Sequence, residues 1–229
     1  MQDHDSRATA YTTLAVGTDF RHELEVKRSR FITVLRRAGT EDAARDLVAG
    51  LRREFHDARH HCSAFVIGAD RTVQRSSDDG EPAGTAGIPM LEALLKRETA
   101  PGVSDLSDVS AVVVRYFGGV LLGAGGLVRA YSESVSTALD LAPLVRRSRL
   151  RICSMAVPHA EAGRLENDLR AAGMVMAETS YQDRHAVLRI AVPDEAAAMA
   201  AAADRILQLT AGSTTLTPGG TDWVDESVG

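Results

Sequence analysis

The sequence predicts an α+β protein of two domains, and three observations carry that expectation. Apolar residues recur at period two in some segments and at the helical period in others, along the whole chain. A long helical pattern stops before Pro143, and a new set of segments begins near Arg149. From Leu150 onward these segments follow the order β-α-β-β-α-β. The expected division is residues 1–144, residues 145–217, and a loose acidic tail at 218–229 that Trp223 could anchor.

In the first domain, residues 22–38 read as extended, with His22 to Val26 alternating and Phe31 to Leu35 following a basic turn. Thr40 stands where a helix N-cap belongs, with Glu41 and Asp42 in the first turn. Ala44, Leu47, Val48, Leu51 and Phe55 then make one apolar stripe. Ser63 to Ile67 and Arg71 to Arg75 read as a strand pair turning at Gly68-Ala69-Asp70. Pro89 suits the first turn of a helix carrying Leu91, Leu94 and Leu95. Val109 to Phe117 is apolar enough for a strand buried on both faces, and Leu127, Val128, Tyr131, Val135 and Leu139 stripe a long helix.

In the second domain, a strand over Leu150 to Val157 precedes a helix with Ala162, Leu165 and Leu169, ended by Gly173. Met174 to Gln182 and Ala186 to Val192 read as a hairpin. Asp194 is placed to cap an alanine-rich helix ended by Gly212, and Thr214 to Thr217 is the expected last strand. That order is the split βαβ arrangement of a ferredoxin-like domain.

Composition is that of an ordinary globular protein, 45% hydrophobic and 25% charged over 229 residues. No apolar run approaches the roughly 18 residues that span a membrane. The polar start, Met1-Gln2-Asp3-His4-Asp5, is unlike a secretory signal. Cys62 and Cys153 form no CxxC pair, so reduced thiols and a cytoplasmic protein are expected. Net charge is −5, and residues 151–229, with 6 basic against 11 acidic side chains, hold all of the excess. Residues 21–75 carry 12 basic against 8 acidic groups, which allows a modest basic face but not a strongly basic nucleic-acid binder.

Function is to be sought in two glycine-rich stretches, since clustered glycines mark unusual backbone or the close approach of a partner. The first, Ser77 to Gly87, packs Asp78, Asp79 and Glu81 before Gly84-Thr85-Ala86-Gly87 and a helix. Such carboxylates either hold a divalent cation or serve the helix dipole and an arginine, Arg115 or Arg129. The second, Arg115 to Tyr131, sets Gly118-Gly119 and Gly123-Ala124-Gly125-Gly126 at the mouth of the long helix, where free amides make an anion nest or glycines permit close packing. Neither stretch is a GxGxxG or Walker A motif, because Val128 stands where the third glycine belongs and no Gly-Lys-[Ser/Thr] occurs. His56, His60, His61 and Cys62 have metal-ligand composition without a metal-ligand pattern, and no metal or cofactor is expected. A Cys62 nucleophile would find His61 on the opposite face of its strand and His60 on its own. Tyr116 and Phe117 beside arginines suit either base stacking or core packing.

Four motifs in order resemble the YigZ/IMPACT family over roughly residues 20–140. They are Lys27-x-Ser29-Arg30-Phe31-Ile32, Ala58-x-His60-His61-Cys62, Ser77-Asp78-Asp79-Gly80-Glu81-Pro82-x-Gly84-Thr85-Ala86-Gly87, and Arg115-Tyr116-Phe117-Gly118-Gly119-x-x-Leu122-Gly123-x-Gly125-Gly126-Leu127-x-Arg129-Ala130-Tyr131. Ile88 and Val114 depart from the commoner choices at those places. The second half resembles the small domain that bacterial members carry. The resemblance implies a ribosomal-protein-S5-domain-2-like N-terminal domain and a ferredoxin-like C-terminal domain similar to the last domain of elongation factor G. It also implies a link to translation. Eukaryotic members act on a starvation-responsive initiation-factor kinase through an additional RWD domain, for which the stretch before residue 20 is too short, so that role is not carried over. The family brings no established catalytic residue.

The leading expectation is therefore a non-catalytic binder of RNA, the ribosome or a translation factor, with no membrane partner. Its contact residues would be His60, His61, Asp78, Asp79, Gly80, Glu81, Gly84, Thr85, Gly87, Arg115, Tyr116, Phe117, Gly118, Gly119, Gly123, Gly125, Gly126, Arg129 and Tyr131. The rival is an enzyme acting on a phosphorylated small molecule or nucleotide at the same loops, with the carboxylates as magnesium ligands or base. A third reading has the loops only locking the fold.

Overall fold

The computed structural model describes residues 7–17 and 19–226, so Met1 to Asp5 and the last three residues lie outside the described residues. It is mixed α+β and divides into two compact units, one reaching Arg146 and the other spanning Arg147–Glu226.

The first unit contains β1 (Ala10–Leu14), β2 (Phe20–Val26), β3 (Ser29–Arg37), α1 (Glu41–Glu54), β4 (His60–Ile67), β5 (Val73–Ser77), α2 (Gly87–Lys96), β6 (Val109–Tyr116) and α3 (Ala124–Leu141). Its main sheet has the order β2-β3-β6-β4-β5, antiparallel throughout. Strand periodicity decides which side chain meets which helix. Phe31, Leu35, Cys62, Ala64 and Val113 pack beneath Met90 and Leu94 of α2 and Leu127, Tyr131, Val135 and Leu139 of α3. The alternate residues Ile32, Val34, Val112 and Val114 meet Leu47 and Leu51 of α1 on the opposite face. Residues Val109 to Arg115 of β6 are accordingly all buried. Thr40 caps α1 as its type requires, its side chain accepting from Ala43 N at 3.2 Å. Strand β1 was not legible in sequence. It is held by Thr12, which exchanges backbone bonds with Asp105 and Ser107, and by the Tyr11 hydroxyl donating to buried Asp108.

The second unit holds β7 (Leu144–Val157) from Arg147 onward, α4 (His159–Ala171), β8 (Val175–Tyr181), β9 (Ala186–Pro193), α5 (Ala196–Leu209) and β10 (Thr217–Asp225). Within it β10 pairs β7, β7 pairs β9 and β9 pairs β8, all antiparallel, which is the split βαβ arrangement. Its core joins Met155, Val157, Leu188 and Ile190 of the sheet to Leu165, Leu169 and Ile206 of α4 and α5. Two expectations are corrected here. The last strand is Thr217–Asp225 rather than Thr214 to Thr217, so most of the stretch read as a tail is a sheet strand, with Trp223 opposite Arg149 and Asp225 opposite Arg147. Pro218-Gly219-Gly220, the start of that stretch, lies within the strand, whose pairing with β7 shifts register between Pro218 and Thr221. The N-cap of α5 is Glu195 with no side-chain bond, because Asp194 turns to the Arg151 guanidinium.

Candidate functional site

The three carboxylates of the first glycine stretch are all held by donors of the chain itself. Asp78 accepts from the amides of Gly84 (2.8 Å), Ala86 (3.0 Å) and Gly87 (2.8 Å), capping α2 from eight residues away, since Ala86 at the N-cap has no side-chain oxygen. Burial pushes its carboxyl up, and the three amides outweigh burial to leave it below the usual range. A depressed carboxyl stabilises fully above its unfolded pKa near 4 and loses that contribution as pH falls through the lower folded value. Asp78→Asn is expected to cost about 0.5–2 kcal/mol at neutral pH and to flatten the loss of stability below about pH 4. Acid titrations followed by circular dichroism that run parallel for the two proteins would exclude this role.

Asp79 bridges the stretch to α1 and β4. It sits in the left-handed region (φ 43°), accepts from the Arg52 guanidinium and from His61 N at 2.6 Å, and its carbonyl meets His60 Nδ1 at 2.9 Å. A carbonyl only accepts, so His60 carries its proton on Nδ1. His60 shares the face of Cys62, while His61 is buried on the α1 side, where burial holds it below the ordinary histidine range against the pull of Asp79.

Glu81 is the most enclosed of the three. Its side chain is 3% exposed and its Oε1 accepts from Arg115 Nη1 at 2.6 Å and the Tyr131 hydroxyl at 2.8 Å. The Cys62 thiol lies 3.3 Å from that hydroxyl and donates to Asp78 O at 3.0 Å. Burial pushes the Cys62 thiol up to about 12, so it is a protonated core group and no nucleophile near neutrality. Tyr131 is likewise raised by burial and packs edge-on against Phe31, centroids 5.2 Å apart. Arg115 reaches this cluster because it shares the phase of Val113 on β6 and lies on the α3 side. Among the described residues no three or more His, Cys, Asp or Glu side chains are grouped to hold a metal ion.

The glycines divide by what surrounds them. A Cβ on Gly87 would stand 2.7 Å from Ser77 N, and one on Gly118 would stand 2.0 Å from the Arg28 carbonyl carbon, so both mark close backbone approach within the fold. Gly80, Gly84, Gly119 and Gly123 have φ between 70° and 84°, the left-handed region that favours glycine. Around Gly119, Gly123 and Gly125 a Cβ would meet nothing, and at Gly126 it would touch Leu122 Cβ at 3.0 Å. Thr85 is buried, its hydroxyl donating to Pro82 O at 2.7 Å.

The two stretches converge on an open cleft of about 360 Å³. Glu81 and Pro82 come from the first, and Arg115, Phe117, Leu121, Leu122, Gly123, Ala124 and Leu127 from the second. Arg59 and His60 complete it. Phe117 is 51% and Leu121 84% exposed, and the Arg115 guanidinium stands 5.8 Å from the Phe117 ring centre. Tyr116 is elsewhere: it follows the phase of Val114 to the α1 face, under Arg30 at 5.4 Å and donating to Asp57 at 2.6 Å. Arg129 is exposed on α3 and makes no ion pair among the described residues, so of the two arginines weighed as partners for the carboxylates only Arg115 serves. Sequence reasoning passed over Arg59 and Leu121, although both stand inside or beside the recognised motifs. No helix among the described residues is long and apolar enough to cross a membrane.

Residues 27–139 match the family model described as the Impact N-terminal domain, and residues 155–213 match one described as a domain of unknown function, DUF1949. The chain is 43% identical to the IMPACT family member YvyE of Bacillus subtilis over 162 residues, which is 71% of each protein. It is 41% identical to the IMPACT family member YigZ of Escherichia coli over 171 residues, 74% of this chain and 80% of that one. A crystal structure described as that of a hypothetical protein is similar at TM-score 0.57 and 37% identity, over 91% of this chain and 97% of the other. With both family domains matched in order and relatives this similar over most of their length, the chain belongs to the IMPACT family.

Proposed function

We propose that this protein is a non-catalytic, translation-linked RNA binder of the cytoplasm that takes an unpaired nucleotide in the cleft between its two glycine-rich stretches. The observation that carries the reading is the lining of that cleft. An exposed aromatic ring, Phe117, stands beside the cations Arg59 and Arg115 and the imidazole of His60. Rings of this kind stack single-stranded bases while arginines meet the phosphates. Catalysis is disfavoured because Asp78, Asp79 and Glu81 are each engaged by amides, arginines or a tyrosine and have little freedom to act as base or metal ligand.

The whole chain carries net charge −5, so affinity must come from this local patch and fall with salt, with a slope near −0.7 per phosphate contact. Filter binding with a short unstructured oligoribonucleotide tests the reading. Retention at low salt is expected, and Phe117→Ala should weaken it roughly fivefold to a hundredfold, the worth of one base stack of about 1–3 kcal/mol. No retention even at low salt would end the RNA reading.

A further inference from the structure

Within the cleft the geometry points to a seat for one phosphate group, built by the first turn of α3 and floored by Arg115; the inference rests on the cleft being a nucleotide site. The first intrahelical bond of α3 runs from Leu127 N–H to Gly123 C=O at 2.9 Å. The amides of Ala124, Gly125 and Gly126 therefore precede it and have no intrahelical acceptor. Among the described residues no side chain caps them, and no acid stands in the first turn of this 18-residue helix to offset its positive end. Gly123 and Ala124 line the cleft.

Arg115 is an independent feature of the same space. Its side chain is only 8% exposed, Glu81 takes Nη1, and its buried Nε has no partner among the described residues. A buried N–H left unpaired in this way is costly, and the residue that carries it lines the same cleft as Gly123 and Ala124. Glu81 cancels the charge of Arg115, so net attraction falls to the helix end and to Arg59, which is exposed and makes no ion pair among the described residues. N–H donors at the helix end and an arginine lining the same cleft suit the several acceptor oxygens of a phosphate. A base attached to that phosphate would lie against Phe117.

The test is a titration of the full chain with inorganic phosphate, against chloride at matched ionic strength, followed in proton–nitrogen correlation spectra. The expected result is saturable shifts of the Ala124, Gly125 and Gly126 amides. Ala124→Asp puts a carboxylate into the turn, where an acid favours the helix, so it should keep the melting temperature and lose phosphate affinity roughly tenfold or more. Arg59→Ala, at an exposed position, is the second variant and should weaken phosphate several-fold. Amides that stay still, or variants that bind phosphate like the parent, overturn the seat. The same variants tested on the oligoribonucleotide separate the two claims. Phosphate binding without RNA retention leaves the seat and removes the RNA reading; RNA retention unaffected by Ala124→Asp removes the seat and leaves that reading.

Discussion

Glu81→Ala is expected to destabilise the N-terminal unit by about 3–5 kcal/mol, the cost of stranding one member of a buried ion pair. The Glu81 and Arg115 side chains are 3% and 8% exposed, and the Tyr131 hydroxyl loses its acceptor in the same step. Arg115 is held by β6 on the α3 side between Phe31 and Phe117, whose ring centres lie 5.5 and 5.8 Å away, so little of it is free to be hydrated in place of the lost carboxylate. Urea denaturation of the full chain, with probes in each unit, should show the loss in the N-terminal transition and spare the other. Glu81→Gln keeps the size and an acceptor oxygen and should cost less. The double change Glu81→Gln with Arg115→Met should be less harmful than Glu81→Ala alone, since a pair replaced together leaves no unpaired charge. If Glu81→Ala unfolds with the parent, the pair is no keystone of the fold.

Gly118→Ala follows as the second large effect, about 1–3 kcal/mol or more, because its new methyl collides with backbone rather than with a side chain that can swing away. The collision is with the Arg28 carbonyl at 2.0–2.1 Å and with Ser29 N at 2.5 Å. The turn it strikes has little room to yield. Lys27 and Arg28 stand at φ 48° and 68°, a two-residue hairpin turn in the left-handed region without glycine, and Ser29 Oγ accepts from Gly118 N at 3.2 Å. Hydrogen exchange should localise the damage to the β2–β3 turn and the start of the second glycine stretch. Gly119→Ala is the control: nothing lies within 4 Å of its Cβ, and only its φ of 84° opposes the change. Equal effects at the two positions would show that conformation, not close approach, makes Gly118 necessary.

The strands and helices with clear periods were legible in the sequence for a local reason. Thr40 before Glu41 and Asp42, and the stripe Ala44-Leu47-Leu51, act through neighbours three and four residues away. Strand β1 and strand β10 were not legible in that way. Tyr11 to Leu14 depends on Asp105, Ser107 and Asp108, and Pro218-Gly219-Gly220 becomes strand only by pairing with β7. In both, a distant partner overrides a weak local preference.

The sequence by itself determined that two glycine-rich stretches are the unusual parts of this chain, that the fold is α+β in two parts, and which family carries such motifs. Tertiary structure alone decided how the charges are used. Side by side in sequence, Asp78, Asp79 and Glu81 look like a cluster of free carboxylates. Folded, they separate to α2, to Arg52 with β4, and to Arg115 with Tyr131. Sequence shows which charges are adjacent along the chain, but their energies depend on distances to donors up to 50 residues away. The packing of α1, α2 and α3 on the sheet sets those distances, and it leaves the cleft to Arg59, Arg115 and Phe117.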